Sequence, residues 1–326
     1  MNIFTTDNPW SVLALQKETE GLLLRGCADK GPHSVFLGID SYGQYLFLLK
    51  LPQNNINIES YSLPKISGCL STFVTIEKET YFQLLLLEQK NWRLFKLLVQ
   101  EIVTVLEEEK RQEKERLIHL LIDILKRCSF FFSKKREPFT REMALGLYGE
   151  IYFLLNEASV HVGWDKAIST WRGPLGHPQD YVIGTSAIEV KTTETGQRRT
   201  VRISSLEQLN PLSSKGYLYV VSLSEAVNIQ GKSLNDLVDE TYNLLKSSSV
   251  SSQDFDLKLS LYGYSAASKF SNQEYAVTEC VFYHLAKDFP RIASDAVCLG
   301  IESVRYSLNL NFCSSFIVKP DLNNYD

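Results

Sequence analysis

The sequence predicts an α/β protein built around a mixed β-sheet, and three patterns support this prediction. After Thr140 the chain alternates amphipathic helical segments with short apolar β segments, an order typical of an α/β sandwich. The run "YLYVVSL" (217–223) is apolar on both faces, as a fully buried strand requires. The segment "DYVIGTSAIEVKTT" (180–193) predicts two strands joined by a turn at Gly184, Thr185 and Ser186.

The chain before Thr140 has a different character. Residues 1–90 form a predicted β-rich N-terminal region, in which "SVFLGIDSYGQYLFLLKLP" (34–52) and "STFVTIEKETYFQLLLLE" (71–88) alternate apolar runs with turn residues. The turns are expected at 40–43 and 77–80. Residues 91–139 form a predicted helical connector, because one apolar stripe recurs at helical spacing through Trp92, Phe95, Leu98, Ile102 and Leu106. The third predicted domain is 140–326.

Within 140–326 the elements follow in a definite order. Thr140 is the predicted N-cap of a helix that ends near Glu157, and a loop, "WRGPLGHPQ" (171–179), leads into the hairpin. A strand over "RTVRIS" (199–204) is expected to precede a helix opened by a capping box from Ser204 to Glu207. Ser233 with Asp236 predicts the N-terminus of another amphipathic helix. The serine-rich "KSSSVSSQ" (246–253) is expected to be a loop.

Composition limits the possible functions. The 326 residues carry a formal charge of −4, and residues from 140 onward hold 16 Lys and Arg against 21 Asp and Glu, so no half of the chain is a basic nucleic-acid clamp. No run of about 18 apolar residues and no signal-peptide pattern occurs, which predicts a cytoplasmic protein without membrane association. The six scattered cysteines form no zinc or disulfide pattern.

Three acids and one lysine are the strongest candidates for a reactive site. Glu189 and Lys191 are two apart in a predicted strand, so both point to one face while Ile188 and Val190 point to the other. Asp180 lies across the turn, in the preceding strand. Glu150 falls within the apolar stripe of the upstream helix, where an acid is unusual.

Close approach of these acids would need compensation. At about 4 Å and an effective dielectric near 20, each pair of like charges costs about 4 kcal/mol. Three such pairs would rival the whole stability of a domain, about 5 to 15 kcal/mol. Protonation or a divalent cation must therefore relieve the repulsion, and oxygen ligands favour Mg²⁺ or Mn²⁺.

Four segments together resemble the PD-(D/E)XK nuclease superfamily: "GLYGEIYFLL", "QDYVI", "AIEVKTT" and "VRISSLEQL". They specifically resemble an uncharacterised bacterial family linked with restriction and phage defence. The resemblance implies a restriction-endonuclease-like α/β/α core and Mg²⁺-dependent endonuclease activity on DNA. It implies that Asp180 and Glu189 are metal ligands, Glu150 an accessory ligand, Lys191 the water-positioning amine and Gln208 a further site residue. The sequence departs from the motif where Gln179 replaces the proline expected before Asp180.

Each of the other candidate residues near these motifs could have a functional or a structural role. Arg172, Arg198, Arg199 and Arg202 could hold a phosphate backbone or be ordinary surface arginines. Trp171 is a candidate for base stacking or a structural loop residue, and His177 could touch the scissile phosphate or be structural.

Two functions from different classes remain open. The first is an endonuclease of a restriction or defence system, whose N-terminal region contacts the target or partner subunits. The second is a catalytically silent scaffold of a multi-protein defence complex, which the acidic charge favours. Expected partners are DNA and other defence subunits, and the oligomeric state stays open.

Overall fold

The protein is described by a computed structural model. The described residues are 8–15, 22–26, 34–52, 58–108, 113–132, 138–196, 199–211, 215–226, 230–246, 249–293, 296–298, 300–301 and 303–322. The chain divides into two compact units, Met1–Arg136 and Glu137–Asp326. Within the described residues, no helix has both the length and the apolar character needed to cross a membrane.

The first unit combines an antiparallel sheet with helices. Its strands are β1 (Leu23–Gly26), β2 (Val35–Ile39), β3 (Tyr45–Lys50), β4 (Cys69–Ile76) and β5 (Glu79–Leu86). Its helices are α1 (Pro9–Leu15), α2 (Trp92–Glu108) and α3 (Lys114–Phe132). The strand order is β1-β2-β3-β5-β4, with every pair antiparallel.

The predicted turns and helical stripe of this unit are confirmed. Asp40 Oδ1 accepts hydrogen bonds from the backbone N–H groups of Tyr42 and Gln44 and so closes the β2–β3 turn. Glu77 and Lys78 form the two-residue β4–β5 turn with positive φ angles, as such tight hairpins require. The α2 stripe is buried from Phe95 to Leu106, in the same core as the sheet.

The second unit contains five α-helices and eight strands in its described part. The helices are α4 (Arg141–Phe153), α5 (Ser159–Val162), α6 (Trp164–Thr170), α7 (Leu234–Leu245) and α8 (Ser249–Tyr262). The strands are β6 (Tyr181–Ile183), β7 (Ser186–Glu194), β8 (Thr200–Ile203), β9 (Lys215–Glu225), β10 (Lys232–Ser233), β11 (Glu274–His284), β12 (Tyr306–Asn309) and β13 (Ile317–Val318).

The main sheet of this unit is mixed, so the predicted α/β class is confirmed. Its order is β10-β11-β9-β7-β6, with β13 beside β11, and only the β7–β9 pair is parallel. One face packs against α4, α6, α7 and α8. The other face packs against the β8–β12 pair and nearby turns.

Helix starts agree with the sequence predictions at two positions. Thr140 caps α4 by accepting a hydrogen bond from Met143 N at 3.2 Å. Helix α4 then continues into a π-helical segment, Leu154–Ala158, close to the predicted end. Ser233 and Asp236 form the predicted capping box at the start of α7.

Two predictions in this unit are wrong. The helix expected after Ser204 is only a 3-10 turn, Glu207–Leu209, because Pro211 cannot donate a helical hydrogen bond and forces Asn210 away from helical geometry. The serine-rich segment is not all loop, because α8 begins at Ser249. Burial of Phe255 and Leu259 against the helical layer stabilises this helix despite its serine-rich start.

Candidate active site

The β6–β7 hairpin brings two of the predicted acids together. Tyr181 pairs with Ile188, which makes Asp180 and Glu189 cross-strand neighbours. Asp180 Oδ2 accepts a hydrogen bond from Val190 N at 2.8 Å, so its carboxylate turns back onto β7. Glu189 is only 1% exposed. The turn that joins the strands contains Gly184 with positive φ, as the tight reversal requires.

Helix α4 supplies the third acid. Glu150 is 5% exposed, and its backbone carbonyl accepts a hydrogen bond from Tyr181 Oη at 2.8 Å. The helix approaches β7 closely because Gly149 has no side chain: a Cβ there would lie 2.6 Å from Thr192 Cγ2. Close packing at Gly149 therefore places the next residue, Glu150, at the sheet edge beside Asp180.

The loop after α6 closes the site from another side. Arg172 N and Gly173 N donate to the carbonyl of Asp180 at 2.7 and 3.0 Å, and Trp171 Nε1 donates to Glu150 Oε2 at 2.7 Å. A Cβ on Gly173 would lie 2.7 Å from Asp180 Oδ1 and 3.0 Å from Glu150 Oε2. Glycine at position 173 therefore lets the loop backbone approach both carboxylate oxygens closely.

Lys191 connects the acids to the 3-10 turn. Its Nζ lies 2.6 Å from Glu189 Oε1 and donates to Gln208 Oε1 at 3.4 Å. Gln208 Oε1 also accepts from Ser204 N at 2.8 Å. Gln179, which replaces the expected proline, is buried and donates its side-chain amide to the carbonyl of Glu207. The departure from the motif thus anchors the turn that carries Gln208.

Burial shifts the protonation of all three acids. It raises the pKa of Glu189 from 4.5 to about 8, with Asp180 adding to the rise and Lys191 opposing it. Burial likewise raises the pKa of Asp180 from 3.8 to about 6, against the opposing effects of Lys191 and Val190 N–H. The pKa of Glu150 lies well above its usual value, because burial and Asp180 outweigh the donors Trp171 and Tyr262.

Lys191 shifts in the direction that its neighbours dictate. Burial alone would lower the pKa of its ammonium, but the carboxylates of Glu189, Asp180 and Glu150 raise the net value above 10.5. The lysine therefore remains charged at neutral pH. Perturbed groups that converge in this way are typical of functional sites.

The residues fit a divalent cation in two respects. The buried Oε2 of Glu189 has no hydrogen-bond partner among the described residues, and Asp180 Oδ1 and Glu150 Oε2 are neighbours beside Gly173. However, the described residues contain no group of three His, Cys, Asp or Glu side chains already arranged around a metal position. One oxygen of each acid instead contacts a protein donor: Trp171 Nε1, Val190 N or Lys191 Nζ.

The predicted nucleic-acid residues lie in different environments. Arg172 is 4% exposed, which is unlike a surface phosphate ligand. Arg199 is half exposed and donates to Glu279 at 2.8 Å, and Arg202 is exposed on β8. Arg198 lies outside the described residues. His177 Nδ1 accepts from Gln179 N at 3.1 Å in a local turn.

Helix α8 brings two residues that the sequence analysis did not single out. Lys258 Nζ donates to the carbonyls of Ile168 and Trp171 at 2.6 and 2.5 Å. Burial and the nearby Glu150 carboxylate raise the pKa of the Tyr262 hydroxyl well above its usual value. Their i, i+4 spacing places two residues on one face of a helix. The serine-rich segment just before them predicts a loop, so this spacing alone did not indicate a helix.

Comparison with known proteins gives one family. The model of a family described as "Putative PD-(D/E)XK family member (DUF4420)" matches residues 6–311. No curated protein and no solved structure gives a significant match.

Proposed function

We propose that this chain, which belongs to the PD-(D/E)XK family DUF4420, is a divalent-metal-dependent endonuclease that hydrolyses DNA. One observation carries the proposal: three buried carboxylates and one buried ammonium converge at the end of a hairpin. The family match supports the same reading, because it covers both units of the chain. A role in restriction or phage defence is part of the proposal.

The chain's own residues have distinct tasks in this proposal. Asp180 and Glu189 would hold Mg²⁺ or Mn²⁺, with Glu150 as an accessory ligand, because hard oxygen donors suit these ions. A bound divalent ion activates water and neutralises charge that develops on a phosphoryl group. Lys191 is charged and lies beside Glu189, so its ammonium can orient the attacking water. Gln208 orients Lys191 through its side-chain oxygen.

Contacts with DNA beyond the reacting phosphate are proposed for two of the predicted arginines. Arg199 directly precedes β8 and Arg202 lies within it, and at least half of the Arg199 side chain is accessible. Since the chain has a net negative charge, few phosphate contacts are available and affinity should depend on them strongly. Arg172 is not proposed as a phosphate ligand because its side chain is buried.

A cleavage assay tests the proposal. Supercoiled and linear DNA, methylated and unmethylated, are incubated with protein and Mg²⁺, Mn²⁺ or chelator. Lys191→Ala should lose single-turnover cleavage by about 10²-fold or more, because it removes charge stabilisation in the transition state. Lys246→Ala, at an exposed lysine after α7, is the matched control and should cleave as wild type does. Equal rates for Lys191→Ala and wild type would remove Lys191 from the mechanism.

The scaffold function is the second candidate. It is favoured by the acidic net charge and by the protein donors that already contact each carboxylate. On that hypothesis neither wild type nor Lys191→Ala cuts any nucleic acid, alone or with added partners. Metal-dependent cleavage by wild type that chelator abolishes would exclude it.

A further inference from the structure

Helix α8 presents two polar side chains to the candidate site. Lys258 and Tyr262 are four residues apart, so they lie on the same face of the helix. Lys258 is 2% exposed, and a buried ammonium costs free energy unless its protons are hydrogen-bonded. An apolar side chain of similar length would fill this position without that cost. The ammonium is therefore expected to do something other than fill space.

The contacts of Lys258 show what the ammonium holds. Its Nζ donates to the carbonyls of Ile168 and Trp171 at the C-terminal end of α6, where the carbonyl of Ile168 also accepts a hydrogen bond from Trp171 N at 3.3 Å. Positive charge is also favourable at a helix C-terminus. These bonds fix the backbone of Trp171, and its indole Nε1 donates to Glu150 Oε2 at 2.7 Å. Lys258 thus reaches the carboxylate of Glu150 through one intermediate residue.

Tyr262 also lies beside this carboxylate, because burial and the charge of Glu150 raise the pKa of its hydroxyl well above the usual value. The hydroxyl lies over Gly146, where a Cβ would come within 2.8 Å of it. Gly146 is one helical turn before Glu150 on α4, so the missing side chain makes room for the hydroxyl. Helix α8 therefore holds the Trp171 donor of Glu150 through Lys258 and places the Tyr262 hydroxyl one helical turn before Glu150.

We propose that Lys258 and Tyr262 are positioning residues that fix the carboxylate of Glu150 for metal binding, with Lys258 acting through Trp171. This inference rests on the proposed function, because it assumes that Glu150 serves the metal. Side chains that orient metal ligands typically contribute 10- to 100-fold to metal affinity. Lys258 and Tyr262 belong to that class.

The first experiment needs neither metal nor activity. The indole N–H signal of Trp171 is followed by NMR in metal-free protein labelled with ¹⁵N-tryptophan, and Trp171→Phe assigns it. Lys258→Met, which keeps an unbranched side chain and removes the ammonium, should move this signal towards its position in Glu150→Gln. Lys246→Met should leave it unchanged. A wild-type signal in Lys258→Met would overturn the role of Lys258.

The second experiment measures Mn²⁺ affinity by calorimetry. Lys258→Met and Tyr262→Phe should each weaken binding by about tenfold or more. The control Tyr264→Phe removes a hydroxyl that bonds to Asn235, away from the acids, and should bind as wild type does. If Tyr262→Phe binds Mn²⁺ as tightly as wild type does, the role of Tyr262 is overturned. If Lys258→Met does not fold, the Mn²⁺ affinity of Tyr262→Phe alone decides the outcome of this experiment. If wild type binds no Mn²⁺, the metal role proposed here and the proposed function both fail, while the indole signal still decides whether Lys258 positions Trp171.

Discussion

Glu189→Gln should remove a large pH dependence from the stability of the metal-free second unit. Glu189 is almost completely buried, and its pKa is about 8 in the folded protein against 4.5 when unfolded. The raised pKa means that the folded state keeps a proton that the unfolded state releases. The associated stability is fully present below pH 4.5 and is lost as the pH rises to about 8.

The size of the effect follows from the same two pKa values. One pH unit of difference corresponds to about 1.4 kcal/mol, so Glu189 accounts for a loss on the order of 5 kcal/mol across the window. Asp180, whose pKa is raised from 3.8 to about 6, contributes in the same direction at lower pH. A glutamine is neutral at every pH and resembles the protonated acid in shape, so its variant lacks the Glu189 contribution.

Hydrogen exchange provides the assay, because it reports the opening of the second unit separately from the first. Exchange in β9 is measured with chelator from pH 5.5 to 8.5 and corrected for the intrinsic rate. Wild type should lose protection steeply with rising pH, whereas Glu189→Gln should lose much less. Glu207→Gln, at an exposed glutamate, is the control and should follow wild type. Parallel curves for wild type and Glu189→Gln would refute the reasoning.

Three other predictions concern stabilisation by metal, the close packing at Gly173 and the N-cap of α7. Saturating Mn²⁺ at about 100 times its Kd should stabilise wild type by about 2.7 kcal/mol. Asp180→Ala should melt at the same temperature with and without metal. Equal metal-induced shifts of the melting temperature in both proteins, measured by calorimetry, would contradict the site. Gly173→Ala should destabilise the fold by about 1–3 kcal/mol and abolish the Mn²⁺ response, because its Cβ meets Asp180 Oδ1 and Glu150 Oε2. A preserved response would show that the ion does not use these two oxygens. Ser233→Ala should cost about 1 kcal/mol in urea unfolding by removing the α7 cap, without changing cleavage.

The core of the candidate site could be predicted from the sequence because it rests on short-range periodicity. Strand alternation places Glu189 and Lys191 on one face, and the turn at Gly184 fixes Asp180 opposite Glu189. The helical stripe of α4 likewise predicts that Glu150 is buried against the sheet. Each of these inferences needs fewer than a dozen neighbouring residues.

The contribution of α8 could not be predicted, because it depends on residues distant in the chain. Its first turn contains serines with low helix propensity, but Ser251 Oγ bonds to Asp165 at 2.5 Å and Phe255 packs on Trp171. The contacts of Lys258 also span about 90 residues of sequence. No local pattern contains such information.

The same limit applies to the 3-10 turn that carries Gln208. The sequence contains an apparent capping box, yet Gln208 Oε1 accepts the Ser204 N–H, and the nearby proline stops the helix. Gln179 completes the turn through its amide. A side-chain hydrogen bond and a proline therefore override the local helix signal, and Gln208 Oε1 accepts a hydrogen bond from Lys191.

The contact between Lys191 and Glu189 predicts that replacing Lys191 changes metal binding and cleavage in different directions. Glu189 Oε1 lies 2.6 Å from the Lys191 ammonium, so any cation that uses this oxygen competes with the lysine for it. Lys191→Ala removes the competitor and also leaves three acids without their nearest positive charge. The variant should therefore bind Mn²⁺ at least as tightly as wild type, although its cleavage falls by about 10²-fold or more. Calorimetry and single-turnover cleavage on the same samples measure both quantities. Weaker Mn²⁺ binding in Lys191→Ala would mean that the lysine supports the ligands rather than competing with the ion, and its loss of cleavage would then follow from loss of metal.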